Sequence, residues 1–170
     1  LQIDAFDLLK RSFGGSGYDI ACAQNDSGIL YQIIDEKPVV EIVDFKPDFT
    51  DKIFFVYLNK KQNSKNAIAS YYSNQVDIRK TIPVINELTK TVVEAEQPKV
   101  FAIALAQHEI ALSNILELPT VKETLFDDFD GVIKSLGAWG GDFVLSISKE
   151  NPTHYFKERG FEIVIPYRDM

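Results

Sequence analysis

The sequence has 170 residues, of which 45% are hydrophobic, so apolar side chains are abundant enough to form a packed core. Its net charge of -7 and pI near 4.8 argue against broad contact with nucleic acid or with an anionic membrane. The single cysteine, Cys22, excludes an internal disulfide and fits a reducing compartment. No apolar run approaches the about 18 residues that a membrane-spanning helix needs, so no such helix is expected. We expect a cytoplasmic protein, in keeping with the free cysteine.

Metal binding is not expected from the residue types present. The chain has one cysteine and two histidines, and the histidines, His108 and His154, are far apart in the sequence. A structural zinc site needs four such ligands, so none is predicted.

The first nine residues lack an initiator Met and a basic segment, so they resemble neither a native start nor a signal peptide. Leu1, Ala5, Leu8 and Leu9 stand at helical spacing, which predicts an amphipathic helix. We therefore expect a fragment whose N-terminal part is missing.

A glycine-rich loop follows at residues 13–17, with three glycines within four positions, and it leads into Asp19. Glycine leaves backbone N–H groups open and permits positive φ, so this loop can wrap closely around a bound group. Residues 19–24 are predicted to be helical. Asp19 is therefore either a carboxylate that faces a substrate hydroxyl or a residue that caps this helix.

The next segment predicts a β-hairpin, with strands at 29–34 and 39–43 around the turn at 35–38. A connector follows at 46–51, where the composition changes. We place a domain boundary near Thr50, which gives domains at residues 1–50 and 51–170.

The second domain predicts an α+β fold. Its elements alternate as strand, helices, strand, strand, helix and strand, which is the split βαβ order of ferredoxin-like domains with extra helices. The predicted strands lie at 52–58, 131–136, 143–148 and 161–165, and the predicted helices lie after Ser64, at 82–96, at 99–116 and at 152–159.

Three further features permit both a functional and a structural interpretation. The loop from Gly137 to Gly141 is either a hairpin turn or an anion-binding nest beside Lys134 and Ser135. Lysines 60, 61 and 65 either hold an anion at a helix start or form a solvated cluster with a Ser64 cap. His108 lies on an apolar helix face and is expected to be a satisfied core histidine.

Together these motifs resemble the GHMP small-molecule kinases. Residues 15–21, Gly-Ser-Gly-Tyr-Asp-Ile-Ala, resemble that family's G-S-G-x-D-x-A segment, and 17–21 closely resemble its GYDIA-family branch. Residues 60–65 are similar to the family's K-x-x-S/T segment, and 106–109 to its N-Q/H-type helix motif. Residues 134–142 resemble its third motif, although Trp139 stands where the family usually has glycine.

This resemblance implies a ferredoxin-like C-terminal domain preceded by the helix-loop-helix and hairpin tail of the kinase N-terminal domain. It implies that Asp19 is catalytic and that the intact parent uses ATP and Mg2+ to phosphorylate a small-molecule hydroxyl, with a mevalonate-like acceptor favoured. The residues that it places near substrate or phosphate are Ser16, Gly17, Tyr18, Gln62, Ser64, Gly137, Ala138, Trp139, Gly140 and Gly141.

The family's phosphate loop, P-x-x-x-G-L-G-S-S-A, does not occur in this sequence. We therefore expect the 170-residue chain to be inactive by itself. The alternative is a non-catalytic ligand-binding or regulatory domain of ferredoxin-like fold, and the sequence does not predict an oligomeric state.

Overall fold

A computed structural model describes residues 4–12, 15–59, 78–137 and 141–170 of the chain. The chain divides into two compact units, unit 1 at residues 1–46 and unit 2 at residues 47–170. The assignment of residues 1–50 and 51–170 to two kinase domains stays a prediction. The helix predicted after Ser64 lies outside the described residues.

Unit 1 contains two short helices and a β-hairpin. The helices are α1, Ala5–Ser12, and α2, Tyr18–Ala23, and the strands are β1, Gly28–Ile34, and β2, Lys37–Val43. The strands pair antiparallel, as predicted. Asp35 and Glu36 form the turn, and both have positive φ, at 49° and 61°. A two-residue turn with two positive φ angles matches the right-handed twist of the paired strands.

The hairpin has two largely exposed faces. Ile33, Ile34, Val39, Val40 and Ile42 are between 38% and 66% exposed. Helix α1 buries no residue, and Ala21 of α2 is the one buried hydrophobic residue among the described residues of unit 1. Unit 1 therefore has hardly any core of its own.

Unit 2 is built on a four-stranded antiparallel sheet. Its strands are β3, Ile53–Tyr57, β4, Gly131–Ser135, β5, Phe143–Ser148, and β6, Val164–Pro166. They are arranged in the order β4-β5-β3-β6, so β5 lies between β3 and β4. This is the split βαβ arrangement that the sequence predicted. The α+β fold is thereby confirmed.

Four helices in the described part of unit 2 accompany the sheet. They are α3, Thr81–Val93, α4, Pro98–Leu116, α5, Val121–Leu125, and α6, Thr153–Glu158. Pro98 occupies the first turn of α4, where its missing N–H is not needed, and Glu117 ends this helix with a left-handed φ of 53°. Short 3-10 turns occur at Thr50–Lys52, Ile78–Lys80 and Tyr167–Asp169.

Helix α5 was not predicted, although its start has a clear chemical cause. The Thr120 hydroxyl accepts a hydrogen bond from the Glu123 backbone N–H at 3.2 Å. The Glu123 carboxylate accepts one from the Thr120 backbone N–H at 2.8 Å. This reciprocal capping box satisfies two N–H groups that a helix start otherwise leaves without partners. The hydrogen bond from the Thr120 backbone N–H lowers the pKa of Glu123, and so does one that the Thr120 hydroxyl donates to the same carboxylate oxygen at 2.8 Å.

The core of unit 2 is aromatic. Phe126 is fully buried, and its ring centroid lies 5.1 Å from those of Phe156 and Phe161. The buried residues of this cluster are Val56, Leu58, Val121, Phe126, Phe129, Ile133, Val144 and Phe156.

The last strand begins later than predicted. Gly160 has a φ of 84°, and the Phe161 N–H donates to the Phe156 carbonyl at 3.0 Å. These contacts belong to the end of α6, so strand β6 begins only at Val164. In the part of the chain that the structure describes, no helix combines the length and apolar character needed to cross a bilayer.

Candidate functional site

The glycine-rich loop before α2 needs glycine at two positions. Gly15 and Gly17 have φ values of 110° and 78°, which side chains disfavour. Gly17 is also buried, and a Cβ there would lie 2.7 Å from Cδ1 of Phe6 and 3.4 Å from the Tyr31 hydroxyl. Around Gly15 no atom lies within 4 Å of such a Cβ. Glycine is thus required at position 17 by the backbone conformation and by close packing, and at position 15 by the backbone conformation alone.

Contacts within unit 1 hold the loop in place. The Tyr31 hydroxyl donates a hydrogen bond to the Ser16 carbonyl. The Ser16 hydroxyl accepts one from the Tyr18 backbone N–H at 3.2 Å. The Tyr18 and Tyr31 rings meet edge to face, with their centroids 5.8 Å apart. Contacts within unit 1 therefore hold the conformation of three consecutive predicted site residues, Ser16, Gly17 and Tyr18.

Asp19 is the second residue of α2 and is exposed to solvent. The helix has its N-cap at Gly17, with no side-chain cap hydrogen bond. The interpretation of Asp19 as the helix cap is therefore wrong. Its carboxylate has no hydrogen bond or ion pair with another described residue, so it is accessible to a ligand.

Tyr18 is half-exposed beside Asp19 and stays protonated at neutral pH. Its hydrogen bond with the Cys22 side chain raises the pKa of Tyr18 to about 12, and burial and the charges of Cys22 and Asp19 act in the same direction. A protonated phenol can donate a hydrogen bond as well as accept one. Tyr18 can therefore supply a neutral polar group next to Asp19.

The second glycine-rich loop is described only at its two ends. Gly137 is exposed and has a φ of 65°, with no atom within 4 Å of an added Cβ, and Gly141 is buried. Ala138, Trp139 and Gly140 lie outside the described residues, as do Gln62 and Ser64. The positive φ of Gly137 suits both the hairpin turn and the anion nest, so both interpretations of the loop remain open.

A buried polar cluster lies immediately before this loop. The Ser135 hydroxyl donates to Oε2 of Glu109 at 2.9 Å, and Nζ of Lys134 forms an ion pair with the same oxygen at 2.9 Å. Lys134 also donates to the Ser135 carbonyl at 2.8 Å. Sequence reasoning singled out Lys134 and Ser135, whereas it included Glu109 in the motif at 106–109 without assigning it a role. The available signal was its position four residues after the buried Leu105, on the same helix face.

His108 is half-buried, and its Nδ1 has no hydrogen-bond partner in the described chain. The prediction of a satisfied core histidine is therefore wrong. Burial lowers the pKa of His108 to about 4, and the positive charge of Lys134 adds to this effect. The imidazole is neutral at neutral pH as a result.

Described residues of unit 2 line two cavities, and neither lining includes a predicted site residue. One, of about 290 Å³, is lined by residues of α4, α5 and β4 that include Glu109 and Lys122. The other, of about 480 Å³, is lined by residues at the start of α4 and β4 and the end of β5. Among the described residues, no group of three or more His, Cys, Asp or Glu side chains is placed to hold a metal ion.

The α+β fold is shared with two solved proteins, one of which is a mevalonate kinase. The structure of a Lin0012 protein from Listeria innocua has a TM-score of 0.67 and 16% identity, and the match covers 93% of this chain and 54% of that one. The structure of L. major mevalonate kinase in complex with R-mevalonate has a TM-score of 0.63 and 12% identity, with 91% and 53% covered.

The chain therefore spans about half the length of these two solved proteins. No protein-family model matches the sequence. No curated protein matches it either. At identities of 12% and 16%, the two structures show a shared fold and do not show a shared activity.

Proposed function

We propose that this chain is the C-terminal portion of an ATP-dependent kinase that phosphorylates a hydroxyl group of a small molecule. The observation that carries the proposal is the exposed carboxylate of Asp19, directly after a loop whose backbone is held in a glycine-specific conformation. A GHMP-kinase-like fold supports it independently. A carboxylate at such a position can orient the acceptor hydroxyl or remove its proton.

Within this proposal we favour a mevalonate-like acceptor and the GYDIA-family branch. The first choice is supported by the L. major structure, which contains R-mevalonate and has the same fold. The second is supported by the sequence from Gly17 to Ala21, which resembles that branch closely.

In the proposed reaction, MgATP is the phosphoryl donor. The acceptor oxygen forms a bond to the γ-phosphorus while the bond to the leaving ADP breaks, and Asp19 takes the hydroxyl proton. The backbone of Ser16 and Gly17 borders the acceptor, and Tyr18 offers a neutral hydroxyl beside it. Such transfers depend mainly on positioning and on charge stabilisation.

The remaining predicted site residues complete the proposal. Gln62 and Ser64 are assigned to substrate binding, and the loop from Gly137 to Gly141 to substrate or phosphate. ATP and Mg2+ are assigned to the longer parent, because the phosphate-loop pattern does not occur in these 170 residues. We accordingly expect no turnover by the 170-residue chain. ATP-dependent phosphorylation by this chain alone would contradict the assignment.

The test of Asp19 uses the longer parent protein. We expect Asp19→Asn to lower kcat by about 10²-fold or more, because an amide cannot accept the hydroxyl proton. Asp26→Asn is the matched control, since Asp26 is an exposed carboxylate in the same unit. A kcat near the wild-type value for Asp19→Asn would assign a structural role to this residue. Absence of phosphorylation by the wild-type parent would favour the ligand-binding module instead.

A further inference from the structure

Among the strands that the structure describes, the end of β4 is held by the sheet from one side. In the order β4-β5-β3-β6, β4 lies at the end of the described sheet and pairs with β5. Beyond its last residue, Ser135, the Leu136 N–H still donates to the Phe143 carbonyl at 3.1 Å. At Gly137 the chain turns away with positive φ. In the described part of the chain, β5 is therefore the strand that holds the start of the glycine-rich loop, and no second strand flanks it.

Helix α4 supplies a second attachment through Glu109. Oε2 of this carboxylate accepts the Ser135 hydroxyl and pairs with Lys134, both at 2.9 Å. Lys134 closes the arrangement by donating to the Ser135 carbonyl at 2.8 Å. Glu109 of helix α4 thus contacts the Ser135 hydroxyl directly. It contacts the Ser135 carbonyl indirectly, through Lys134.

Burial makes this arrangement geometrically demanding. The Glu109 and Lys134 side chains are only 3% and 12% exposed. A buried ion pair contributes little net stability, but removing one partner leaves an uncompensated charge and is strongly unfavourable. Oε1 of Glu109 is buried without a hydrogen-bond partner among the described residues, so Oε2 makes both contacts of this carboxylate. His108 is neutral at neutral pH and does not provide a second cation for Glu109.

We propose that Glu109 is a positioning residue that fixes the strand end from which the loop from Gly137 to Gly141 departs. This inference rests on the proposed function, because contact of that loop with substrate or phosphate is part of that proposal. Glu109 acts through Lys134 and Ser135.

Amide hydrogen exchange of the 170-residue chain, followed residue by residue by NMR, tests the proposal. Glu109→Gln keeps the side-chain shape and removes the charge. We expect it to speed exchange of the Leu136 amide about tenfold or more, since local opening becomes easier. The Tyr57 amide, which donates to the Ile163 carbonyl at 3.0 Å, is the internal reference and should change far less.

Glu94→Gln is the matched control variant. Glu94 pairs with Lys90 at 3.9 Å on the surface of unit 2, with both side chains more than 60% exposed, so Leu136 should be unaffected. If Glu109→Gln fails to fold, Ser135→Ala is the deciding variant, because it removes one hydrogen bond and keeps the ion pair. It should speed Leu136 exchange by a smaller factor, about threefold. Unchanged Leu136 exchange in the folded variant would overturn the proposal.

A second readout connects the strand end to catalysis in the longer parent. We expect Glu109→Gln to lower kcat/KM at least about tenfold. Adding Lys134→Met should not lower it further, because Glu109 and Lys134 act as one unit and the second substitution removes the charge left without its partner. If the two substitutions lowered kcat/KM additively, Glu109 and Lys134 would act independently, which would contradict the proposal. The hydrogen-exchange experiment does not require activity, so it still tests the role of Glu109 at the strand end if the kinase assignment fails. Conversely, Asp19→Asn could lower kcat as expected while Glu109→Gln leaves exchange of the Leu136 amide unchanged. The proposed function would then stand and the inference about Glu109 would be wrong.

Discussion

The two units of the chain maintain their conformations by different means. In unit 2, side chains from helices and strands form a buried aromatic cluster in which Phe126 and Phe156 are fully enclosed. In unit 1, the described residues include one buried hydrophobic side chain, Ala21, and the hairpin exposes most of its apolar residues. The loop before Asp19 is held instead by glycine conformations and by the Tyr31 hydroxyl.

This difference determines how substitutions should act. A core residue of unit 2 is supported by many contacts distributed over several elements, so its loss should reduce the stability of the whole unit. A loop residue of unit 1 is supported by one or two contacts and its own φ angle. Its replacement should change local geometry more than it changes overall stability.

The largest effect should come from the aromatic core of unit 2. We expect Phe126→Ala to lower the free energy of unfolding by about 3–5 kcal/mol, because it leaves a cavity among buried rings. Urea denaturation followed by circular dichroism measures this. Leu125→Ala is the control, since Leu125 is the neighbouring residue and is 36% exposed. Equal losses for the two variants would show that unit 2 does not depend on its core in this way.

A smaller and local effect is expected at Gly17. A positive φ costs a side chain about 1–3 kcal/mol, and at Gly17 the new Cβ would also press on the Phe6 ring at 2.7 Å. Gly15→Ala is the matched control, because Gly15 has positive φ and open space around it. Exchange of the Ala21 amide, which donates to the Gly17 carbonyl at 3.1 Å, should therefore accelerate more in Gly17→Ala. The same acceleration in both variants would argue against the steric contribution.

The smallest effect concerns the dependence of unit 2 on pH. The pKa of His108 falls from 6.5 to about 4 on folding, so the unfolded chain binds a proton at higher pH than the folded chain does. The stability linked to this group is complete above about pH 6.5 and is lost as the pH falls towards 4. His108→Gln should therefore reduce the loss of stability between pH 7 and pH 5.

Urea midpoints at the two pH values measure this change. His154→Gln is the control, because His154 is exposed and pairs with Glu158 on the surface at 3.2 Å. A His108→Gln protein that loses as much stability on acidification as the wild type would show that His108 does not contribute. The stability of unit 2 would then not depend on the protonation of this half-buried imidazole.

The sequence predicted the elements whose signals are local. Pro98 begins helix α4 and Pro119 follows its end. The Asp35-Glu36 turn lies within the predicted hairpin turn, and the order of elements in unit 2 indicated the split βαβ sheet. Local signals were also misjudged. The capping box at Thr120 was readable but was not recognised, and the strand predicted from Phe161 failed because the end of α6 holds that residue.

At the candidate site, the sequence by itself predicted a glycine-rich loop at residues 13–17 that leads into Asp19 on a helix. The structure showed that positions 15 and 17 are the ones with positive φ. Only the tertiary structure decided that Gly17 packs on Phe6, and that Glu109 pairs with Lys134 and Ser135. The physical reason is the range of each interaction. Turn and helix preferences depend on neighbours within a few residues, whereas Glu109 is stable in its buried position because a partner 26 residues away is folded against it.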